Sequence, residues 1–284
     1  MCEGQEMSGA AGQSVQMRYE HKFLLPERLL DAVRRRIEPF VDLDAHVSRR
    51  GGRTYNVRNI YFDDAQFKSY YEKNDGLEVR AKPRIRGYDR HEPGGLVFLE
   101  VKRRHGSVGS KDRAVVPFEQ LGELWETGDV DRLVTQPAWL PDSRGAARKF
   151  LFHVHRDALR PVLLECYDRE PYVGRLEPSL RVTLDRGIRS VLYPRLEDLF
   201  ARDGTRRSFR RSFVLEVKYD VPFGFPYWLR AFLAEHRLLP EALSKYWTCI
   251  TDWGVVRPHA RARGHVMSHW ICSTRRHEAP VSNV

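Results

Sequence analysis

The stretch LEVRAKPRIRGYD, residues 77–89, alternates without a break between two kinds of side chain. In an extended strand, residues two apart share a face. Glu78, Arg80, Lys82, Arg84, Arg86 and Tyr88 therefore fall on one side. Leu77, Val79, Ala81, Pro83, Ile85 and Gly87 fall on the other. One face is almost wholly ionic and the other is apolar.

The pattern repeats on both sides of this segment. LVFLEVKRR, residues 96–104, sets Glu100, Lys102 and Arg104 against Leu99 and Val101, after a turn at Gly94 and Gly95. Near the start, Arg18, Glu20 and Lys22 oppose Met17, Tyr19 and Phe23. Further on come Glu165, Tyr167 and Arg169, then Arg181, Thr183 and Asp185, then Glu216 and Lys218. LEVK occurs twice, at 99–102 and 215–218. On any single strand this is the ordinary solvent face of a one-sided sheet. Recurrence on six strands, with acid and base interleaved and few Ser, Thr, Asn or Gln, points elsewhere. The expected fold is antiparallel α+β, and a closed barrel could point these ionic faces inward with helices packed outside. Crowded like charges in such a lumen repel one another. A polyanion supplies the missing counter-charge, and the carboxylates could hold a hard divalent cation.

The rest of the chain fits this plan. Its 284 residues carry 48 Lys+Arg against 38 Asp+Glu, a net charge of +10 that favours anionic partners. Leu29, Leu30, Val33 and Ile37 have helical spacing, and further helices are expected in FEQLGELWETG, around 143–157, in PYWLRAFLAEH and in EALSKYWTCITDW. Trp228, Phe232 and Leu233 read as core. Residues 1–16 read as a flexible tail, 17–256 as one domain, and 257–284 as a second tail rich in Arg and His. No stretch approaches a membrane span, and residues 1–16 lack the pattern of a signal peptide. Cys2, Cys166, Cys249 and Cys272 form no CxxC pair, which argues against zinc and for a reducing, cytoplasmic setting. No P-loop is present.

In order along the chain, RYEHK (18–22), NIYFDD (59–64), RIRGYD (84–89), FLEVKRR (98–104), SKDRAVVP (110–117), ECYDREPYVG (165–174), LRVTLDR (180–186), VLEVKYD (214–220) and LSKYWTCI (243–250) resemble the polyphosphate polymerase (VTC) domain family. That family is a branch of the triphosphate tunnel metalloenzyme, or CYTH-like, superfamily, and the resemblance implies a closed antiparallel β-barrel tunnel of about eight strands with helices packed outside. The resemblance implies that Lys22, Arg84, Arg86, Lys102, Lys111, Arg169, Arg181, Lys218 and Lys245 hold phosphates. It makes Glu216 the metal carboxylate, with Glu20, Glu100 and Glu165 as further possible ligands. Arg84, Arg86, Lys102, Arg169, Arg181 and Glu216 would carry the catalysis. Where the wider superfamily often begins E-x-E-x-K, this chain has Arg18-x-Glu20-x-Lys22. One donor for a second metal is thereby lost, and Arg18 suits a cation-rich lumen.

The implied activity is metal-dependent polyphosphate synthesis from ATP, with Mn²⁺ or Mg²⁺. Phosphoryl transfer relies on positioning and electrostatics rather than a nucleophilic triad. Two alternatives stay open. One is a triphosphatase on the same scaffold, with Glu20 or Glu100 positioning water. The other is a non-catalytic module binding polyphosphate or nucleic acid, although no specific nucleic-acid recognition is expected. Arg58, Arg80 and Lys82, together with Tyr88, Tyr167 and Tyr172, are secondary candidates.

Overall fold

Alternating sequences of this kind form strands, and among the described residues ten strands build one antiparallel sheet in the computed structural model. The structure describes residues 18–49, 51–105, 108–201, 204–220 and 224–256; both expected tails lie outside them. The strands are β1 (Arg18–Pro26), β2 (Val41–Leu43), β3 (Tyr55–Asp63), β4 (Val79–Tyr88), β5 (Leu96–His105), β6 (Val108–Pro117), β7 (Arg160–Gly174), β8 (Arg181–Leu192), β9 (Arg206–Arg207) and β10 (Ser212–Asp220). Eight of them follow the order β1-β10-β8-β7-β3-β4-β5-β6, with β2 paired to β7 and β9 to β8.

The helices are α1 (Leu30–Ile37), α2 (Ala45–Ser48), α3 (Lys68–Asn74), α4 (Leu121–Thr127), α5 (Val130–Leu133), α6 (Ser143–Arg156), α7 (Tyr227–Glu235) and α8 (Lys245–Trp253). Their apolar stripes decide where they pack. Ala147, Phe150, Leu151 and Val154 of α6, with Leu121, Leu124 and Leu133, cover Ile85, Val97, Leu99, Val101 and Val116 on the outer face of β4, β5 and β6. Val33 and Ile37 of α1, with Trp228, Leu229, Phe232 and Leu233 of α7, cover Phe23, Val182, Leu184, Leu215 and Val217 of β1, β8 and β10. The helices coat the apolar face, so the ionic face is turned to the concave side. A third cluster lies on that concave side. Phe67, Tyr70, Tyr246, Cys249 and Ile250, from α3, α8 and the approach to α3, pack on Val57, Leu163, Ile188 and Val214. They fill one end of the hollow.

The expected closed barrel is corrected: the sheet is open, with β1 and β6 at its two ends. Side chains alone bridge the gap toward β1, where Lys102 of β5 comes within 3.7 Å of Glu20. Three backbone groups on these two edges are engaged elsewhere. On β6, the Val115 amide donates to Ser143 Oγ at 3.0 Å, and its carbonyl accepts from the Thr135 amide at 3.0 Å. On β1, the Lys22 carbonyl accepts from the Glu241 amide at 2.7 Å. An amide hydrogen donated elsewhere is not free to extend a ladder, and a segment bound at a carbonyl stands in the way of a neighbouring strand. The result is a trough whose concave face carries the charge.

Candidate functional site

Register decides which charges meet. Across β4, β5 and β6 the pairs Lys82↔Lys102 and Lys102↔Lys111 set three lysines in one row. The next row is Arg84↔Glu100 and Glu100↔Arg113. Glu100 is fully buried and is the hub of this wall. Its Oε2 accepts from Arg84 Nε at 2.8 Å, and its Oε1 accepts from Arg113 Nε at 2.7 Å. Lys111 Nζ lies 3.4 Å away and Arg86 Nε 3.8 Å away. Burial works to raise its pKa, but these four cations outweigh burial and hold it well below the usual carboxylate range. Arg84 also donates to the Tyr61 hydroxyl at 3.1 Å, and Arg86 to Asn59 Oδ1 at 2.8 Å.

The lysine row is not balanced in this way. Lys82 has no carboxylate at ion-pair distance among the described residues, and its ammonium sits over the Tyr246 ring at 4.9 Å. Desolvation in the trough and neighbouring cations push Lys82 down to about 7 and Lys102 and Lys111, whose side chains stay accessible to solvent, to about 8. Like charges directly opposite one another on neighbouring strands are destabilising. Lys102 and Lys111 each reach only a shared carboxylate, Glu20 at 3.7 Å and Glu100 at 3.4 Å, so the row carries more cation than acid.

The opposite wall is made by β1, β10, β8, Arg169 of β7 and the start of α8. Glu216 pairs with Lys218 at 2.7 Å and lies 3.5 Å from Arg169. Asp185, fully buried, takes a two-pronged bond from Arg169 at 2.7 Å on each oxygen and an ion pair from Lys245 at 2.6 Å. Ser244 caps α8, its side chain accepting from the Trp247 amide at 3.3 Å, and this fixes Lys245 at the helix start. Burial opposes ionisation of Glu216, yet Lys218, Lys22, Arg169 and Lys245 hold its pKa well below normal. Lys22 reaches Glu20 at 3.0 Å.

Nine of the residues singled out from the sequence thus meet around the trough: Lys22, Arg84, Arg86, Lys102, Lys111, Arg169, Glu216, Lys218 and Lys245. Arg181 is exposed at the rim, opposite Lys218, with its guanidinium on the carbonyls of Pro178 and Leu180. Arg58 faces the other way and donates to the carbonyls of Leu199 and Ala201 at 2.9 and 2.8 Å. Tyr172 belongs to a separate cluster with Glu170 and Arg53. Tyr167 lies beneath Arg169 and Lys245. Sequence reasoning left Arg113, Asn59 and Tyr61 out, and it placed Asp185 on the right face without giving it a role. Alternation from Lys111 and from Arg181 was the available signal for Arg113 and Asp185.

The carboxylates differ in what they could hold. Among the described residues no group of three or more His, Cys, Asp or Glu gathers as a ready cage for a metal. Glu216 and Glu20 come from paired strands, where Glu20 lies opposite Lys218 and Lys22 opposite Glu216. The pKa of Glu20 is also lowered: burial and Glu216 push it up, and Lys22, Lys102 and Lys218 prevail. Two ionised carboxylates fit a small hard cation that takes its remaining ligands from phosphate oxygens and water. Glu165 is different. It is buried, one oxygen accepts from Asn59 at 3.3 Å, and the other has no hydrogen-bond partner among the described residues. Burial raises its pKa, which favours a neutral carboxyl.

Residues 17–253 match the VTC domain, and the chain belongs to that family. No curated protein matches it. Among solved structures, it is similar to HpAC1 from Hippeastrum, described as an adenylyl cyclase candidate with a dominant triphosphatase activity. Identity there is 18%, with 85% of this chain and 98% of that chain covered and a TM-score of 0.43. It is also similar to the PH1819 protein of Pyrococcus horikoshii OT3, at 15% identity, with 83% and 99% covered and a TM-score of 0.39. No helix among the described residues is long and apolar enough to cross a membrane.

Proposed function

We propose that this protein is a metal-dependent polyphosphate polymerase that works in its cationic trough. The observation that carries the reading is the wall of β4, β5 and β6. There Lys82, Arg84, Arg86, Lys102, Lys111 and Arg113 surround one carboxylate, Glu100, which four of them already share. A chain of phosphates supplies the charge this wall lacks, and arginine forks match phosphate oxygens. VTC membership ties the chain to polyphosphate and triphosphate chemistry.

In this reading Arg84, Arg86, Lys102 and Lys111 grip the phosphates of ATP, with Arg169 and Lys245 facing them across the trough. The terminal oxygen of a bound polyphosphate attacks the γ-phosphorus, the bridging bond to the β-phosphate breaks, and ADP leaves with the bond's electrons. The attacking oxygen is already ionised, so no side chain needs to take a proton. Fixed cations offset charge on the equatorial oxygens. Glu216, with Glu20, would hold Mn²⁺ or Mg²⁺, which when bound supplies neutralisation of the phosphate charge.

Hydrolysis instead requires a carboxylate free to position water. Glu100 is occupied by four cations and Glu165 favours its neutral form, which disfavours the triphosphatase reading and leaves it Glu20 alone. The deciding experiment incubates the chain with γ-labelled ATP and Mn²⁺ and measures polymer and orthophosphate together. Acid-insoluble polymer is expected. Orthophosphate alone would establish the triphosphatase, and binding without turnover would leave a binding module.

A further inference from the structure

The outer face of the sheet carries a second concentration of charge that the trough does not use. Arg186 of β8 and Arg207, Arg210 and Arg211 line a groove of about 810 Å³ beside the start of β10. Arg189 adjoins it, directly opposite Arg207 across the β8–β9 ladder. Arg206, next to Arg207 on the strand, points to the other face, over the Trp253 ring at 5.3 Å.

Carboxylates are few here. Among the described residues lining the groove they are Glu27 and Asp168. Glu27 is taken by Arg186. Asp168 accepts from Asn56 Nδ2 at 2.7 Å and lies 4.0 Å from Arg189. Arg207, Arg210 and Arg211 are exposed, with no ion-pair partner among the described residues. Facing like charges on paired strands cost stability.

The arginines are also held in place. Gly187 takes φ +58°, and Phe209 and Arg211 take φ 54° and 57°, a region that non-glycine residues enter at a cost. Buried Phe209 anchors the turn in the cluster beneath α8. The Arg211 carbonyl is bound by the Glu27 amide at 2.8 Å. The turn between β9 and β10 thus presents Arg207, Arg210 and Arg211 outward from a fixed base.

We propose that this groove is a second anion site, on the opposite face of the sheet from the trough, that binds a stretch of inorganic polyphosphate chain. The choice of ligand rests on the polymerase reading; the choice of phosphate rests on the arginines. The exposed guanidiniums of Arg207, Arg210 and Arg211, beside Arg186, suit phosphate oxygens. A nucleic acid would also want exposed rings for its bases to stack on. The rings here are Phe209, which is buried, and Trp253, which Arg206 covers.

The test measures equilibrium binding of the full chain to a long polyphosphate and to tripolyphosphate, over a range of salt. Three proteins are compared: wild type, Arg207→Gln with Arg210→Gln, and a control with Arg35→Gln and Arg230→Gln. The control removes the same charge from exposed positions elsewhere. The groove variant is expected to bind long chains roughly tenfold more weakly, with a salt slope shallower by about 1.4, on the order of 0.7 per lost contact. Its affinity for tripolyphosphate, which the trough takes, should not change. Equal losses in groove and control variants would reduce the effect to net charge and end the proposal. So would unchanged long-chain binding. An RNA homopolymer of matched charge that binds the wild-type groove as well as polyphosphate does would assign the site to nucleic acid instead. None of these readouts needs turnover, so a protein that fails to make polymer but loses long-chain binding in the groove variant refutes the polymerase and leaves the groove standing.

Discussion

The two walls of the trough are built from similar residues and solve different electrostatic problems. On β4, β5 and β6, cations crowd one buried carboxylate and a row of three lysines lies strand to strand. On β1, β10, β8, β7 and α8, Glu20, Glu216 and Asp185 interleave with Lys22, Lys218, Arg169 and Lys245. The first wall is under-neutralised and its lysines lose protons easily. The second is close to balance and its acids are firmly ionised. A wall of the first kind binds anions. One of the second kind holds a few carboxylates at fixed places, as a metal or a reacting phosphate requires.

The largest expected effect breaks the first wall. Arg84→Ala with Arg86→Ala should weaken triphosphate binding by roughly 100-fold or more in calorimetry, since each charge-assisted contact contributes about 1.5–3 kcal/mol. Binding at wild-type strength would show that the wall is not the phosphate site. The melting temperature should fall as well, because Glu100 keeps only two of its four cations.

Breaking the second wall should separate binding from turnover. Glu216→Gln keeps the shape and removes the charge a hard cation favours. Polymer formation should fall by roughly 100-fold, while phosphate binding, carried by the other wall, weakens little. A Mn²⁺ titration identical to wild type would instead make Glu216 a simple partner of Lys218.

A stability comparison of two buried acids sharpens the contrast. Glu100→Gln leaves four cations without their shared counter-ion and should destabilise the ligand-free protein by about 3 kcal/mol in urea unfolding. Glu165→Gln replaces a carboxyl that already favours its neutral form and should cost about 1 kcal/mol or less. Equal losses would deny that Glu100 is the hub.

The smallest effect concerns pH. Lys82, Lys102 and Lys111 titrate near 7 to 8 in the folded protein, against about 10.4 in an unfolded chain. Between these values the unfolded chain binds more protons, so the ligand-free protein should become more stable as pH rises from 7 toward 9. Tripolyphosphate should reverse the shift and draw in protons at pH 8, visible as a dependence of the binding heat on buffer ionisation. A melting temperature that falls over this range would contradict the depressed lysines.

Much of this was legible in strand alternation, which assigns each side chain to a face. It put Arg84, Arg86, Lys102 and Glu216 on one surface and the helix-facing Ile85, Leu99 and Val217 on the other. It could not say whether the first and last strands pair. That depended on distant groups, Glu241 on β1 and Thr135 and Ser143 on β6. The status of Glu100 was hidden too, because its partners come from β4 and β6 and only register brings them together. Arg169 faces Asp185 through an irregular register between Cys166 and Asp168, which no two-residue period can foresee.

The openness of the sheet has a consequence for how this protein behaves in a crowd. Two end strands offer two templates on which another chain could extend the sheet, the usual seed of aggregation. Here each template is already blunted. Glu241 occupies β1 and Thr135 occupies β6, and lysines sit along both strands, at Lys22 and Lys111. The lysines proposed to bind phosphate thus also guard the edges. Replacing them with apolar residues should cost solubility as well as binding.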